Sequence, residues 1–175
     1  MSSEITKGLV RRSQKGDIDA FGELYELYSH DMYNFAFYYT SSSYFAEEAV
    51  SDAVTIAFEN IKRLKKAESF KSWIFKILFN CCKQKQREKA VMASQKEISV
   101  LDGYTSEAET GEKAELNMAL SALSDEEREI ILMSFACGYK SEEIGSILSM
   151  KSSTVRSKQS RAIIKMRTYL LNNDT

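Results

Sequence analysis

The chain has 175 residues, 43% hydrophobic and 28% charged, with a formal net charge of −1. That allows one domain or two small ones with real apolar cores, and no apolar run approaches the ~18–20 residues of a membrane span. The start, Met1-Ser2-Ser3-Glu4, lacks the basic-then-apolar pattern of a secretory signal, so a cytoplasmic protein without membrane insertion is expected.

The three cysteines, Cys81, Cys82 and Cys137, and the single histidine, His30, are too scattered for a structural zinc site. No metal and no cofactor are expected, and the thiols read as buried and free. The absence of proline, with only seven glycines, favours an all-α chain.

Helical periodicity begins at Asp19 and runs to about Tyr39, with Phe21, Leu24, Tyr25, Tyr28, Met32 and Phe35 on one face. Ser41-Ser42-Ser43 breaks it with residues suited to capping. A second helix is predicted from Tyr44 to about Leu64, with Phe45, Ala49, Ala53, Ile56 and Ala57 as its apolar stripe. After a polar stretch, Lys65 to Ser69, a third helix carries Phe70, Trp73, Ile74, Ile77, Leu78 and Cys81 on one face and Lys76, Asn80, Lys83 and Arg87 on the other.

Periodicity fades from Val91 to Glu115, where Ser, Thr, Gly and Glu dominate; this reads as a flexible acidic linker with helical ends. Order resumes near Leu116. Ser124-Asp125-Glu126-Glu127 has the spacing of a capping box, opening a helix with Ile130, Ile131, Leu132, Met133 and Phe135 that stops at Gly138. Ser141 is expected to cap a short helix through Leu148, and Ser152 or Ser153 a last helix to about Leu171. The domains are thus 1–90 and 116–175, with 91–115 between them.

The near-zero net charge hides a segregation. Residues 1–58 hold four basic and nine acidic groups, residues 59–95 ten and three, residues 96–139 three and ten, and residues 140–175 seven and three. Two basic blocks separated by an acidic one imply two anion-binding surfaces.

The C-terminal block supplies a short helix, a tight turn and a longer basic helix, the pattern of a helix-turn-helix. Ile144, Ile147 and Leu148 face inward from the first of the pair, and Val155, Ala162, Ile163 and Met166 from the second. Thr154, Lys158, Arg161 and Lys165 form the expected exposed face, with Arg156 and Ser157 beside it. The short hydroxyls of Ser152, Ser153, Thr154 and Ser157 allow close approach to DNA, and arginine or lysine can read guanine or neutralise phosphate.

In the first basic block, Lys62, Arg63, Lys65 and Lys66 precede the third helix, and aromatics Phe58, Phe70, Trp73, Phe75 and Phe79 are interleaved. Cations that track phosphates with aromatics nearby suit single-stranded nucleic acid, and Asn80 on the polar face could hydrogen-bond an exposed base. On the second helix, Glu48, Asp52, Thr55 and Glu59 align at helical spacing; an acidic stripe would repel DNA and fits a protein partner. There is no Gly-rich phosphate loop and no metal cluster, so an enzyme is not expected.

Gly16-Asp17-Ile18-Asp19-Ala20-Phe21, Ala46-Glu47-Glu48-Ala49-Val50-Ser51-Asp52-Ala53, Phe70-Lys71-Ser72-Trp73-Ile74 with Asn80, Gly138 to Ile144, and Thr154 to Lys158 with Arg161-Ala162 follow one another in an order that resembles the extracytoplasmic-function sigma factors of bacterial RNA polymerase. The resemblance implies that Glu48, Asp52 and Thr55 meet the core polymerase. It implies that Lys62, Arg63, Lys65, Lys66, Asn80, Lys83 and Arg87 meet the −10 element of promoter DNA. Ser152, Ser153, Thr154, Arg156, Ser157, Lys158 and Arg161 are implied to meet the −35 element. It further implies an anti-sigma factor as a partner. Gly145 stands where alanine is usual and is expected to loosen its helix by about 1 kcal/mol. A helix-turn-helix regulator that binds duplex DNA without polymerase is the alternative function.

Overall fold

Asp17 shows why the first long helix starts where it does: its carboxylate accepts a hydrogen bond from the Ala20 amide at 3.0 Å, satisfying a donor that the first turn leaves open. The computed structural model describes residues 2–95 and 111–173. Among them there are eight α-helices and no strand. The chain divides into two units, Met1–Tyr104 and Thr105–Thr175. None of these helices is long and apolar enough to cross a membrane.

The first unit holds α1 (Ser2–Gln14), α2 (Ile18–Thr40), α3 (Ser43–Asn60) and α4 (Phe70–Ser94), with single 3-10 turns at Ile61–Arg63 and Ala67–Ser69 between the last two. The serine break behaves as its chemistry dictates: Ser41 ends α2 in the left-handed region at φ 52°, and Ser42 caps α3. Lys89 of α4 donates to the last α2 carbonyl, Thr40 O, at 3.0 Å. The core is built from Val10, Leu24, Met32, Phe35, Phe70, Ile74, Phe75 and Leu78, with Phe35 and Phe75 edge to face at 6.0 Å. On α3 the inward residues are mostly small: Ala46, Ala49, Ala53 and Ala57 have no exposed surface. Small side chains at a helix contact let the axes approach closely.

Three expectations change here. α1 was not anticipated; it buries only Leu9 and Val10 among its large apolar residues, beside the polar Thr6 and Ser13. The second helix ends at Asn60, the remainder to Arg63 tightening into a 3-10 turn, and Ile56 is exposed. The buried face of α4 is wider than expected: Phe75, Phe79 and Cys82 are buried, while Trp73 and Ile77 are half-buried. The helix also continues to Ser94, and α5 begins at Glu112, so helix occupies both ends of the linker as read; its middle, 96–110, lies outside the described residues.

The second unit holds α5 (Glu112–Ser121), α6 (Asp125–Phe135), α7 (Ser141–Leu148) and α8 (Ser152–Asn173). The capping box forms as the spacing requires, with Ser124 N donating to Glu127 Oε2 at 3.0 Å and Glu127 N to Ser124 Oγ at 3.3 Å. Leu120, Ile130, Met133, Ile144, Val155 and Ala162 are buried at its centre. Phe135, near the end of α6, is 67% exposed. Gly138, at φ 69°, turns the chain after α6. Lys140 rather than Ser141 is the N-cap of α7, where its amide donates to Glu143 Oε2 at 2.8 Å. Ser152 is already the first residue of α8, and Val155 N reaches Lys151 O at 3.1 Å. The three cysteines are buried and free.

Candidate polymerase and nucleic-acid interfaces

In the first unit the loop between α3 and α4 presents Lys62, Arg63, Lys65 and Lys66 to solvent, between the buried side chains of Ile61, Leu64 and Phe70. Alternation of anchored apolar and free basic residues fixes the backbone while leaving the cations outside. Along α4, Lys76, Asn80, Lys83 and Arg87 lie on one stripe about 16 Å long. Lys76, Asn80 and Arg87 are exposed; Lys83 is half-buried, its ammonium over the Phe79 ring at 5.4 Å.

Of the remaining cations of this block, Lys71 is exposed while Lys85 and Lys89 are turned inward. Lys85 is nearly buried and forms ion pairs with Asp52 at 3.0 Å, Glu88 at 3.4 Å and Glu48 at 3.7 Å. Burial pulls its ammonium down, but the neighbouring Asp52 and Glu88 outweigh that and hold it above its ordinary value. Lys89 is committed to Thr40. Glu48 and Asp52 thus form a half-exposed acidic surface already bound from beneath by one lysine. Thr55 stays exposed, its hydroxyl donating to Ser51 O at 3.0 Å.

Sequence reasoning passed over Lys85. The signal was present: Ile74, Leu78, Cys81 and Lys85 recur at i, i+4, i+7 and i+11, which sets a lysine on the buried stripe. Burial chiefly, then Asp52, hold the neighbouring Cys81 thiol above its ordinary value, against a smaller opposing pull from Lys85.

In the second unit, Arg156 and Arg161 are exposed on α8. Arg156 reaches Glu142 only at 3.4 Å, with both groups largely in water, where such a pair holds little. Among the described residues, the Arg161 side chain has no ion pair or hydrogen bond, and the hydroxyls of Ser152, Ser153, Thr154 and Ser157 make no hydrogen bond. These donors are unspent at the N-terminal half of the helix.

On the expected exposed face Lys165 is exposed and Lys158 half-buried, and both are paired within the unit. Lys158 pairs with Glu126, and Lys165 with both oxygens of Glu127 at 2.7 and 2.9 Å, so both ammonium groups are directed at α6. The Lys165 bond chiefly, with the Ser124 amide and against the cost of burial, holds the Glu127 carboxyl below its ordinary value. Gln159 donates to Ser134 Oγ at 2.8 Å, a further polar tie between α8 and α6.

Gly145 also changes meaning. A Cβ at this position would lie 2.5 Å from Met150 O, in the backbone of the turn that joins α7 to α8. That turn is closed by Met150 N on Gly145 O at 2.8 Å and by Ser149 at φ 57°. The missing side chain admits the turn; it does not merely loosen the helix.

The family described as Sigma-70 region 2 matches residues 24–91, and that described as Sigma-70, region 4 matches residues 113–166, together well over half of the chain. The chain is 29% identical over 153 residues to RNA polymerase sigma factor SigV of Bacillus subtilis (strain 168), covering 84% of this chain and 89% of that one. The chain belongs to the extracytoplasmic-function sigma factors. This sigma factor is also 23% identical to the ECF RNA polymerase sigma factor SigW of the same organism, across 94% of its own length and 96% of that relative's.

Among solved structures, the sigma factor RpoE in co-crystal with the anti-sigma factor NepR from Bartonella quintana superposes with a TM-score of 0.67 at 26% identity, covering 89% of this chain and 98% of that one. CnrH, in complex with the cytosolic domain of CnrY, shares the fold at a TM-score of 0.71 and 20% identity, over 98% of this chain and 99% of that one. As a sigma factor, the protein directs transcription initiation.

Proposed function

We propose that the two units divide promoter recognition between them. The first, residues 1–90, docks on core RNA polymerase through Glu48, Asp52 and Thr55. It holds the unpaired −10 strand on Lys62, Arg63, Lys65, Lys66, Asn80, Lys83 and Arg87. The second, residues 116–175, lays α8 in the major groove of the −35 element, with Arg156, Arg161 and the hydroxyls of Ser152, Ser153, Thr154 and Ser157 toward DNA. Lys158 supports α8 through Glu126 and meets phosphate only if that pair opens. The observation that carries this reading is the set of unspent donors on each unit: exposed cations on one loop and one helix stripe, and free hydroxyls beside two exposed arginines on another helix.

The protein acts without a catalytic site. Strand separation is favoured because unpaired bases gain contacts with the protein that paired bases cannot make, while the phosphate contacts supply affinity that falls with salt. Its place of work is the cytoplasm, with the polymerase. An anti-sigma factor is a further partner in this reading, supported by the Bartonella relative, which is held by one.

Mixing the purified chain with core polymerase and following size exclusion tests the division. A complex lost with Asp52→Arg and retained with Arg156→Ala supports it. Absence of any complex from folded protein would favour a regulator that binds duplex DNA alone.

A further inference from the structure

We propose that Gln14 is a positioning residue for strand capture: its side-chain amide holds the loop of Lys62, Arg63, Lys65 and Lys66 in the geometry that grips unpaired DNA. This rests on the reading of that loop given under Proposed function. Gln14 is the last residue of α1, and its Nε2 donates to Ile61 O at 3.1 Å and to Leu64 O at 2.8 Å. Both acceptors are carbonyl oxygens, so only the NH₂ end of the amide can face them.

A single 3-10 turn leaves carbonyls that its own ladder does not satisfy. Ile61 O has one backbone donor, Leu64 N at 3.1 Å, and Leu64 O has the Gln14 amide. The two carbonyls bracket Lys62 and Arg63, and the buried side chains of Ile61 and Leu64 anchor the same two points. Segments 47 and 50 residues apart in the chain are thereby joined at the base of the cationic loop.

Removing the clamp leaves every cation in place. Non-specific attraction to phosphate depends on their number and should persist. What is lost is the fixed register between those cations and the neighbouring bases. A change in base selection without a change in salt dependence is therefore the signature of positioning.

Gln14→Met keeps the side-chain length without the donor, and Gln14→Glu sets a carboxylate against two carbonyls. In the full-length chain under trypsin, cleavage after Lys62, Arg63, Lys65 and Lys66 should become about tenfold faster in both, with other sites unchanged, because local opening is what two lost hydrogen bonds release. Holoenzyme carrying either variant should retain polymerase binding and salt dependence. From a pool of duplexes with a pre-opened, randomised bubble, it should select bases less sharply than wild type. Wild-type cleavage at the loop, an equal rise at all sites, or unaltered base selection would overturn the proposal. A wild-type holoenzyme that captures no bubble DNA would instead defeat the strand-capture reading, and the role of Gln14 with it.

Discussion

Replacing Gly145 with alanine sets two effects of opposite sign against each other in α7. Helix propensity favours alanine by about 0.8–1.0 kcal/mol. Against this, the new Cβ would sit 2.5 Å from Met150 O, with Ser152 N at 3.5 Å. The opposing atom is backbone, in a turn fixed by the Met150–Gly145 hydrogen bond and by the left-handed Ser149. It can yield only by shifting the entry to α8, where Val155 is fully buried. Forcing a methyl into such a contact costs about 1–3 kcal/mol, at the upper end where backbone must move. The net expectation is a loss of about 1–2 kcal/mol, hence a fall of roughly 4–8 °C in Tm per kcal/mol for a unit of this size. Circular dichroism of the full chain measures it, while the fluorescence of Trp73, the single tryptophan, follows the first unit. The reasoning predicts that the second unit's transition falls and the Trp73 transition stays. A Tm unchanged or raised would show that propensity outweighs the contact and would refute it.

Further outcomes follow from the ion pairs and from the exposed Arg161. Lys85→Met leaves Glu48, Asp52 and Glu88 facing one another and should cost about 1–2 kcal/mol, discounted because the carboxylates are half-exposed; chemical denaturation checks it. Since Lys85 is held above its ordinary 10.5, its stabilisation is complete below that value and is lost as pH rises through the folded one. Glu127, held below its ordinary 4.5, contributes stability above 4.5 that is lost as pH falls through its folded value. Acid unfolding of the second unit should therefore be steeper in wild type than in Glu127→Gln, and equal slopes would contradict the Lys165 contact. Arg161→Ala should weaken binding to a −35 duplex and lower the salt slope by about one unit. Lys158→Ala should chiefly lower thermal stability; the reverse pattern would mean that Lys158, not Arg161, faces DNA.

What could be read from the sequence was local. The Ser124–Glu127 capping box and the serine break before α3 depend on chemistry within a few residues, and both form as read. The helix-turn-helix pair and the all-α class follow from apolar spacing. α1 escaped because it carries few large apolar residues, and the polar Thr6 and Ser13 fill buried positions beside Leu9 and Val10. Lys158 and Lys165 fell on the polar side of α8 as read, but their partners lie on α6, more than thirty residues away in the chain. Tertiary pairing, not helical phase, decides whether such a lysine is available to a ligand. Gly145 shows the same limit: its propensity cost is written in the residue type, but the approach of Met150 is not.

The alanine column of α3 has a consequence for how this protein can diverge. Ala46, Ala49, Ala53 and Ala57 have no exposed surface, and any larger residue there would push against packed neighbours. The outer residues Glu47, Ser51, Thr55 and Glu59 carry no such restriction. One face of a single helix is thus nearly frozen, while the other can drift without repacking the core. New docking preferences can be sampled there at little risk to folding, which leaves the scaffold old and its address editable.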